Sequence, residues 1–244
     1  LVCKDFGKAK VVTNKFSKNP EGYMELLEGL ATRKSIRAFT SQTVPRDLII
    51  RILDMARWSP SWGNTQPWEL VVVEGAKVKQ LTQELATTFE KEVPPNPDVP
   101  MPQTFPDAYK ARYMACAAGL FGTMGITRDD KASRWAHMVK MTGAFGAPVI
   151  IYVIFNAALT EPYTMFDLGA ITSNICLGAH ALGLGTCIEA QVARHPDLVR
   201  KHLNLPTSHK IAVGIALGYP DPGAPVNAFR TDREPLEKFV RWVK

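Results

Sequence analysis

Two groups of side chains in this 244-residue sequence have the types and spacing to do chemistry. The first is cationic. Arg33, Lys34, Ser35 and Arg37 stand together directly after a helix-patterned stretch, and Arg230 and Arg233 lie near the C-terminus. A guanidinium donates two parallel hydrogen bonds to phosphate oxygens, and a hydroxyl adds a neutral donor, so the set suits a phosphate. By spacing alone a solvated basic turn is the first reading and the phosphate the second. The second group is Asn64-Thr65-Gln66-Pro67-Trp68. It offers amide donors and acceptors beside an aromatic, which suits the edge of a planar heterocycle or an ordinary Asx/Pro turn.

Other chemistries find no support. There is no G-x-x-x-x-G-K-[ST] phosphate loop, no H-E-x-x-H and no G-x-S-x-G. Gly183-Leu184-Gly185 follows a helical pattern and lacks a third glycine, which argues against a dinucleotide-binding turn. The histidines 137, 180, 195, 202 and 209 are scattered, and no carboxylate pair stands out for acid–base work. The four cysteines, 3, 116, 176 and 187, have no metal spacing, so no metal site is expected. They read as reduced thiols, and with no apolar leader the expected location is the cytoplasm.

Hydrophobic residues make up 46% and charged residues 21%, the balance of a globular chain with room for a continuous core. The longest apolar stretch, 144–155, is 12 residues and contains Gly146 and Pro148, too short for a bilayer. The net charge of +6 is uneven. Residues 1–18 hold five lysines against one acid, leaving 24 − 22 = +2 for the rest. This defines a basic arm over 1–20 ahead of a single domain over 21–244. The arm reads as a solvated segment, with nucleic-acid binding a poor second reading.

Periodicity supplies the elements that must position the two groups. Helices are expected over 21–31, over a segment opening at Pro45 with Leu48, Ile49, Ile52, Leu53 and Ala56 inward, and over 76–91 with Val78, Leu81, Leu85 and Phe89 inward. Two more are expected over 107–141, broken near Gly122–Gly125, then a central helix over 164–182 and a short one over 195–203. Strands are expected at 70–73, 148–155 and 210–217, and a short strand or turn at 186–191. Residues 92–106 hold six prolines, and the stretch 92–125 is expected to act as a lid or insert. A sheet with helices on both faces follows.

With the elements in place, the motifs resemble the flavin-dependent nitroreductase family. The resemblance rests on Arg33-Lys34-Ser35-Ile36-Arg37, Val44-Pro45, Ala56-Arg57-Trp58-Ser59-Pro60-Ser61 and Asn64-Thr65-Gln66-Pro67-Trp68. It continues through Leu182-Gly183-Leu184-Gly185-Thr186-Cys187-Ile188-Glu189 to Gly214–Gly218 and Arg230-Thr231-Asp232-Arg233-Glu234-Pro235-Leu236. It runs from about Tyr23 to Trp242, and its specificity lies in the order and spacing of modest motifs.

The resemblance implies an α+β fold with a mixed central sheet flanked by helices, in a homodimer with exchanged C-terminal segments. FMN would lie in the subunit interface. Arg33, Ser35, Arg233 and Arg230 would hold its phosphate, with Lys34 standing where the family usually has arginine. Arg37 would face the N1/O2 edge. Pro60, Ser61, Asn64 and Gln66 would come from the other subunit to the pyrimidine side. Cys187, Ile188 and Glu189 would lie along the ring, with the Ile188–Glu189 backbone at N5.

Trp62, Tyr113, Phe121 and Phe145 are the candidate contacts for a small aromatic electron acceptor. No catalytic side chain is required, because the flavin carries the redox chemistry. The function implied is an NAD(P)H-dependent reductase of nitroaromatics or quinones working by ping-pong hydride transfer, with NADPH or NADH as donor. A reductive dehalogenase-like flavin reductase and a non-catalytic flavin-binding protein are the alternatives.

Overall fold

The computed structural model describes residues 24–243; the basic arm expected at 1–20 lies outside them. The fold is α+β. Helices α1 (Leu26–Thr32) and α2 (Arg46–Ala56) precede strand β1 (Trp68–Glu74). Helices α3 (Ala76–Glu90), α4 (Asp107–Thr123) and α5 (Lys131–Thr142) lead to β2 (Val149–Asn156). Helix α6 (Glu161–Ala181), β3 (Gly185–Glu189), α7 (Pro196–Leu203) and β4 (His209–Gly218) complete the regular structure.

The continuous apolar run of β2 is explained by cover on both faces. Side chains alternate along a strand. Val149, Ile151, Val153 and Phe155 therefore point to one face, where they join Ile49 and Ile52 of α2 and Leu168, Ile171 and Ile175 of α6. Ile150, Tyr152 and Ile154 point to the other face, against Val78, Leu81 and Leu85 of α3 and Val199 of α7.

The strand order is β1-β2-β4-β3, and all three ladders are antiparallel. Parallel pairing among the described residues is confined to one isolated bridge, Ser35 with Thr186. The reason lies in the connection through α6. That helix returns the chain so that β2 and β3 point the same way, as a helical crossover does. Strand β4 then slots between them and runs antiparallel to both.

Local chemistry sets the element ends. Pro45 is the N-cap of α2, one residue outside the helix that was expected to begin on it. The Asp130 carboxylate accepts from the Ser133 backbone N–H at 2.9 Å and starts α5. Helix α6 buries a stripe of residues 164, 167, 168, 171, 172, 175, 176 and 179, a three-four spacing. Its opposite side exposes Tyr163 and Phe166, although the sequence reads as apolar almost all round.

The proline-rich stretch is tied down in its first half. Asn96 donates its backbone N–H to the Arg194 carbonyl at 3.1 Å. The Asp98 carboxylate accepts from Arg200 at 2.5 Å and from the Ile211 backbone N–H at 2.8 Å. Residues 100 and 102–115 are exposed.

Candidate functional site

Residues 33–37 leave α1 and run beside the outer edge of β3. The Ile36 N–H donates to the Thr186 carbonyl at 2.9 Å. This approach depends on Gly185: a Cβ there would lie 2.6 Å from Ile36 Cγ1 and 2.9 Å from Pro220 Cγ. Ile36 is buried as the anchor, and the polar residues on either side of it stay partly accessible.

The tail reaches the same place from the other end of the chain. A cavity of about 500 Å³ is lined by Arg33, Lys34, Ser35 and Arg37 from the first segment and by Arg230 and Arg233 from the second. Leu30, Ala31, Phe229 and Thr231 complete the lining. Five cations face it and no carboxylate does. The side chains of Arg33, Lys34 and Arg37 make no hydrogen bond or ion pair with any described residue. Arg230 donates to the Ala31 carbonyl, and Arg233 donates to the Thr231 hydroxyl at 2.6 Å and the Asp232 carbonyl at 2.8 Å. Uncompensated cations beside a serine hydroxyl fit a phosphate group.

Asn227 joins the two segments, and the sequence carries no signal for it. Its buried side-chain oxygen accepts from the Arg37 N–H at 2.8 Å and the Ala38 N–H at 3.2 Å. Its amide nitrogen donates to the carbonyls of Ala38 at 2.8 Å and Asp221 at 3.0 Å. The backbone that carries Arg37 is thus fixed to the loop that leads to Arg230 and Arg233.

Strand β3 pairs with the 33–37 segment that lines the cavity, through the Ser35–Thr186 bridge. Ile188 is half-exposed and faces a groove of about 350 Å³ between β3 and α6, which Arg33 also lines. Cys187 and Glu189 point to the opposite, buried side. Burial pushes the Cys187 thiol up to about 12, with the Glu189 carboxyl adding to the shift. Burial also raises the Glu189 carboxyl to about 9 against the opposing pull of Arg37.

The amide turn lies elsewhere. Trp62–Asn64 form a short 3-10 turn, with positive φ at Gly63, Asn64 and Gln66. The Trp62 N–H donates to both Asp167 carboxylate oxygens at 3.1 Å, and the Gln66 N–H donates to Ser61 Oγ at 2.9 Å. Asn174 on α6 donates to Ser59 Oγ at 2.7 Å. The turn is therefore docked on α6, with Pro60, Asn64 and Gln66 exposed. None of Pro60, Ser61, Trp62, Asn64 or Gln66 lines the cationic cavity.

The four aromatic candidates do not share one surface either. Trp62 pairs with Tyr163 at 6.1 Å, and Tyr113 stacks on Phe105 at 5.4 Å. Phe121 and Phe145 are buried on either side of His137, at 5.4 and 5.6 Å. Phe145 and Ala144 both have positive φ, at 53° and 52°, an unusual pair for residues with a Cβ. His137 is held below its ordinary value by burial first and by the positive charge of Arg37 second.

The sequence and the fold are both similar to those of known proteins. The chain is 31% identical to a 4-nitrobenzoate reductase of Pseudomonas putida over 214 residues, covering 88% of this chain and 93% of that protein. Its structure is similar to that of the FMN and NADPH-dependent nitroreductase NfnB from sphigopyxis sp. strain HMH, with a TM-score of 0.87 and 30% identity. That match covers 91% of this chain and 100% of the other. The FMN-dependent nitroreductase NfnB from Mycobacterium smegmatis, in complex with NADPH, matches with a TM-score of 0.84 and 27% identity, covering 90% and 100%. Residues 30–219 match the sequence profile of the Nitroreductase family, and with the relatives above this shows that the chain belongs to that family.

Proposed function

We propose that this chain is an FMN-dependent NAD(P)H oxidoreductase that reduces nitroaromatic or quinone-type acceptors in a ping-pong cycle. The observation that carries the reading is the five-cation cavity, which no carboxylate lines and whose first segment pairs with β3 through Ser35 and Thr186. Bound there, FMN would supply the redox chemistry, taking hydride at N5 from the nicotinamide and passing it to the acceptor.

The residues of the chain bind, orient and exclude. Arg33, Ser35, Arg230 and Arg233 hold the phosphate, with Lys34 contributing a point charge. Arg37 sits further along the same segment and faces the N1/O2 edge, where its fixed positive charge favours the electron-rich state. The β3 backbone at Ile188 and Glu189 borders N5, with the Cys187 side chain in the core beneath.

The working unit is a homodimer. The exposed apolar side chains of α1 (Leu26, Leu27, Leu30), of α6 (Tyr163, Phe166) and of the tail (Leu236, Phe239, Trp242) are too many to leave in water. The amide turn on α6, with Pro60, Ser61, Asn64 and Gln66, reaches the flavin of the partner. Residues 24–243 belong to a single domain, with 92–125 covering the acceptor side.

The test is direct. The purified protein is expected to be yellow and dimeric, to release FMN on denaturation, and to oxidise NADPH or NADH in the presence of 4-nitrobenzoate. A colourless protein that takes up no added FMN overturns the reading.

A further inference from the structure

Glu189 ends β3 with its side chain on the inner face, 4% exposed. Both carboxylate oxygens are buried and have no hydrogen-bond donor. Three groups around it are charged or titratable. Arg37 comes from the segment beside the strand, Tyr152 from β2, and Cys187 from β3 itself. Opposite it β4 places Gly214, and the Val192 side chain fills the space a Cβ at Gly214 would need. The Tyr152 hydroxyl donates to the Val192 carbonyl at 3.1 Å and is not available to Glu189. Arg37 is close enough to influence the carboxyl, yet forms no ion pair with it.

A buried carboxylate without a single donor costs several kcal/mol, and proton uptake removes most of that cost. Arg37 also acts electrostatically on His137, whose buried Nε2 lacks a partner and which burial first and the Arg37 charge second hold in the neutral form. The Arg37 guanidinium therefore acts on two buried groups, forms an ion pair with neither, and keeps its charge.

We infer that Glu189 is kept as an uncharged carboxylic acid behind the cationic cavity, a positioning residue whose neutrality leaves the whole Arg37 charge to the anionic ligand. This rests on the FMN reading for the identity of the ligand, but not for the state of Glu189. Loss of the proton at high pH places a negative charge beside Arg37 and weakens the hold on an anion. Reduction of a bound flavin adds negative charge at the same edge and favours the protonated acid.

The first experiment needs neither flavin nor a variant. The infrared spectrum of the apoprotein is recorded from pH 6 to 10. A protonated-carboxyl C=O band is expected to persist at neutral pH, where ordinary carboxyls are ionised, and to disappear near pH 9. Its absence at pH 7 overturns the inference whatever the protein binds.

The second compares FMN affinity of wild type and Glu189→Gln by fluorescence quenching across the same range. The ratio of dissociation constants, wild type over Glu189→Gln, is expected to stay level from pH 6 to 8 and to rise severalfold above pH 9. Tighter binding by Glu189→Gln already at pH 7 means the carboxylate was charged and overturns the inference. Failure of both proteins to bind FMN overturns the FMN reading instead, and the infrared band still decides the state of Glu189.

Discussion

The side-chain amide of Asn227 grips the backbone of Arg37, 190 residues earlier in the chain, at 2.8 Å. One buried amide thereby satisfies two N–H groups and two carbonyls and fixes the relative position of both halves of the cationic cavity.

On replacing Asn227 by Ala, the Ala38 and Asp221 carbonyls keep the backbone N–H donors of Asp221 (3.0 Å) and Ala224 (3.4 Å), but the Arg37 and Ala38 N–H groups lose their partner. Each costs about 1–3 kcal/mol if it stays dry. A fall in Tm of roughly 4 °C or more is expected for a chain of this size, together with weaker FMN binding. Asn227→Asp keeps the acceptor but loses both donors, and should fall between wild type and Asn227→Ala. Unchanged Tm and FMN affinity in both variants would show that the clamp does not order the cavity.

Arg33→Ala and Arg233→Ala should weaken FMN binding more than riboflavin binding, since riboflavin lacks the phosphate. A hydrogen bond to a charged group is worth about 1.5–3 kcal/mol, or roughly 10- to 150-fold in Kd. Calorimetric titration of the apoprotein with each ligand measures the difference. Equal losses for both ligands would move these arginines off the phosphate.

Arg37→Ala should lower the midpoint potential of the bound flavin. At about 30 mV per 1.4 kcal/mol for a two-electron couple, a differential of about 1.5–3 kcal/mol corresponds to roughly 30–65 mV. Dye-equilibrated reduction of the fully flavinated variant checks it. A potential equal to wild type would place Arg37 away from the N1/O2 edge.

Asp98→Ala tests the anchor of the proline-rich stretch. Its carboxylate and the Arg200 guanidinium are both largely buried, with side chains 15% and 11% exposed. Removing one partner of such a pair costs about 3–5 kcal/mol. The low end is expected, because Arg200 keeps its bonds to Asp197 at 3.1 Å and to the His209 carbonyl at 3.0 Å. Urea denaturation gives the value. A loss within error of zero would mean that the loop is held by other contacts.

The pH dependence of stability should carry the mark of Glu189. Its folded-state pKa of about 9 lies above the ordinary value of 4.5. Between these values the folded protein holds a proton that the unfolded chain has released, so stability falls as pH rises through this window. The contribution is fully present below pH 4.5 and gone above about pH 9. Glu189→Gln should therefore gain on wild type steadily across the window, as read by Tm at matched pH. A constant difference in Tm would assign Glu189 an ordinary pKa.

The sequence by itself determined the elements and their identity as a family. Apolar periodicity is a local property, so α2, α3 and α7 begin and end within a few residues of their patterns, and the fully apolar run of β2 shows that both its faces are covered. The cationic residues were also legible, because Arg33, Lys34, Ser35 and Arg37 are adjacent and arginines 230 and 233 repeat their chemistry.

Tertiary structure alone decided the rest. Antiparallel pairing of β4 between β2 and β3 depends on which edge a strand finds after a crossover, and no local pattern encodes that choice. Asn227 looks like any loop asparagine until the Arg37 backbone is brought against it. Glu189 reads as an ordinary acid at the end of a strand. Its charge state depends on Gly214, Val192 and Tyr152 closing over it, since the cost of an unpaired carboxylate is set by the water it loses in three dimensions.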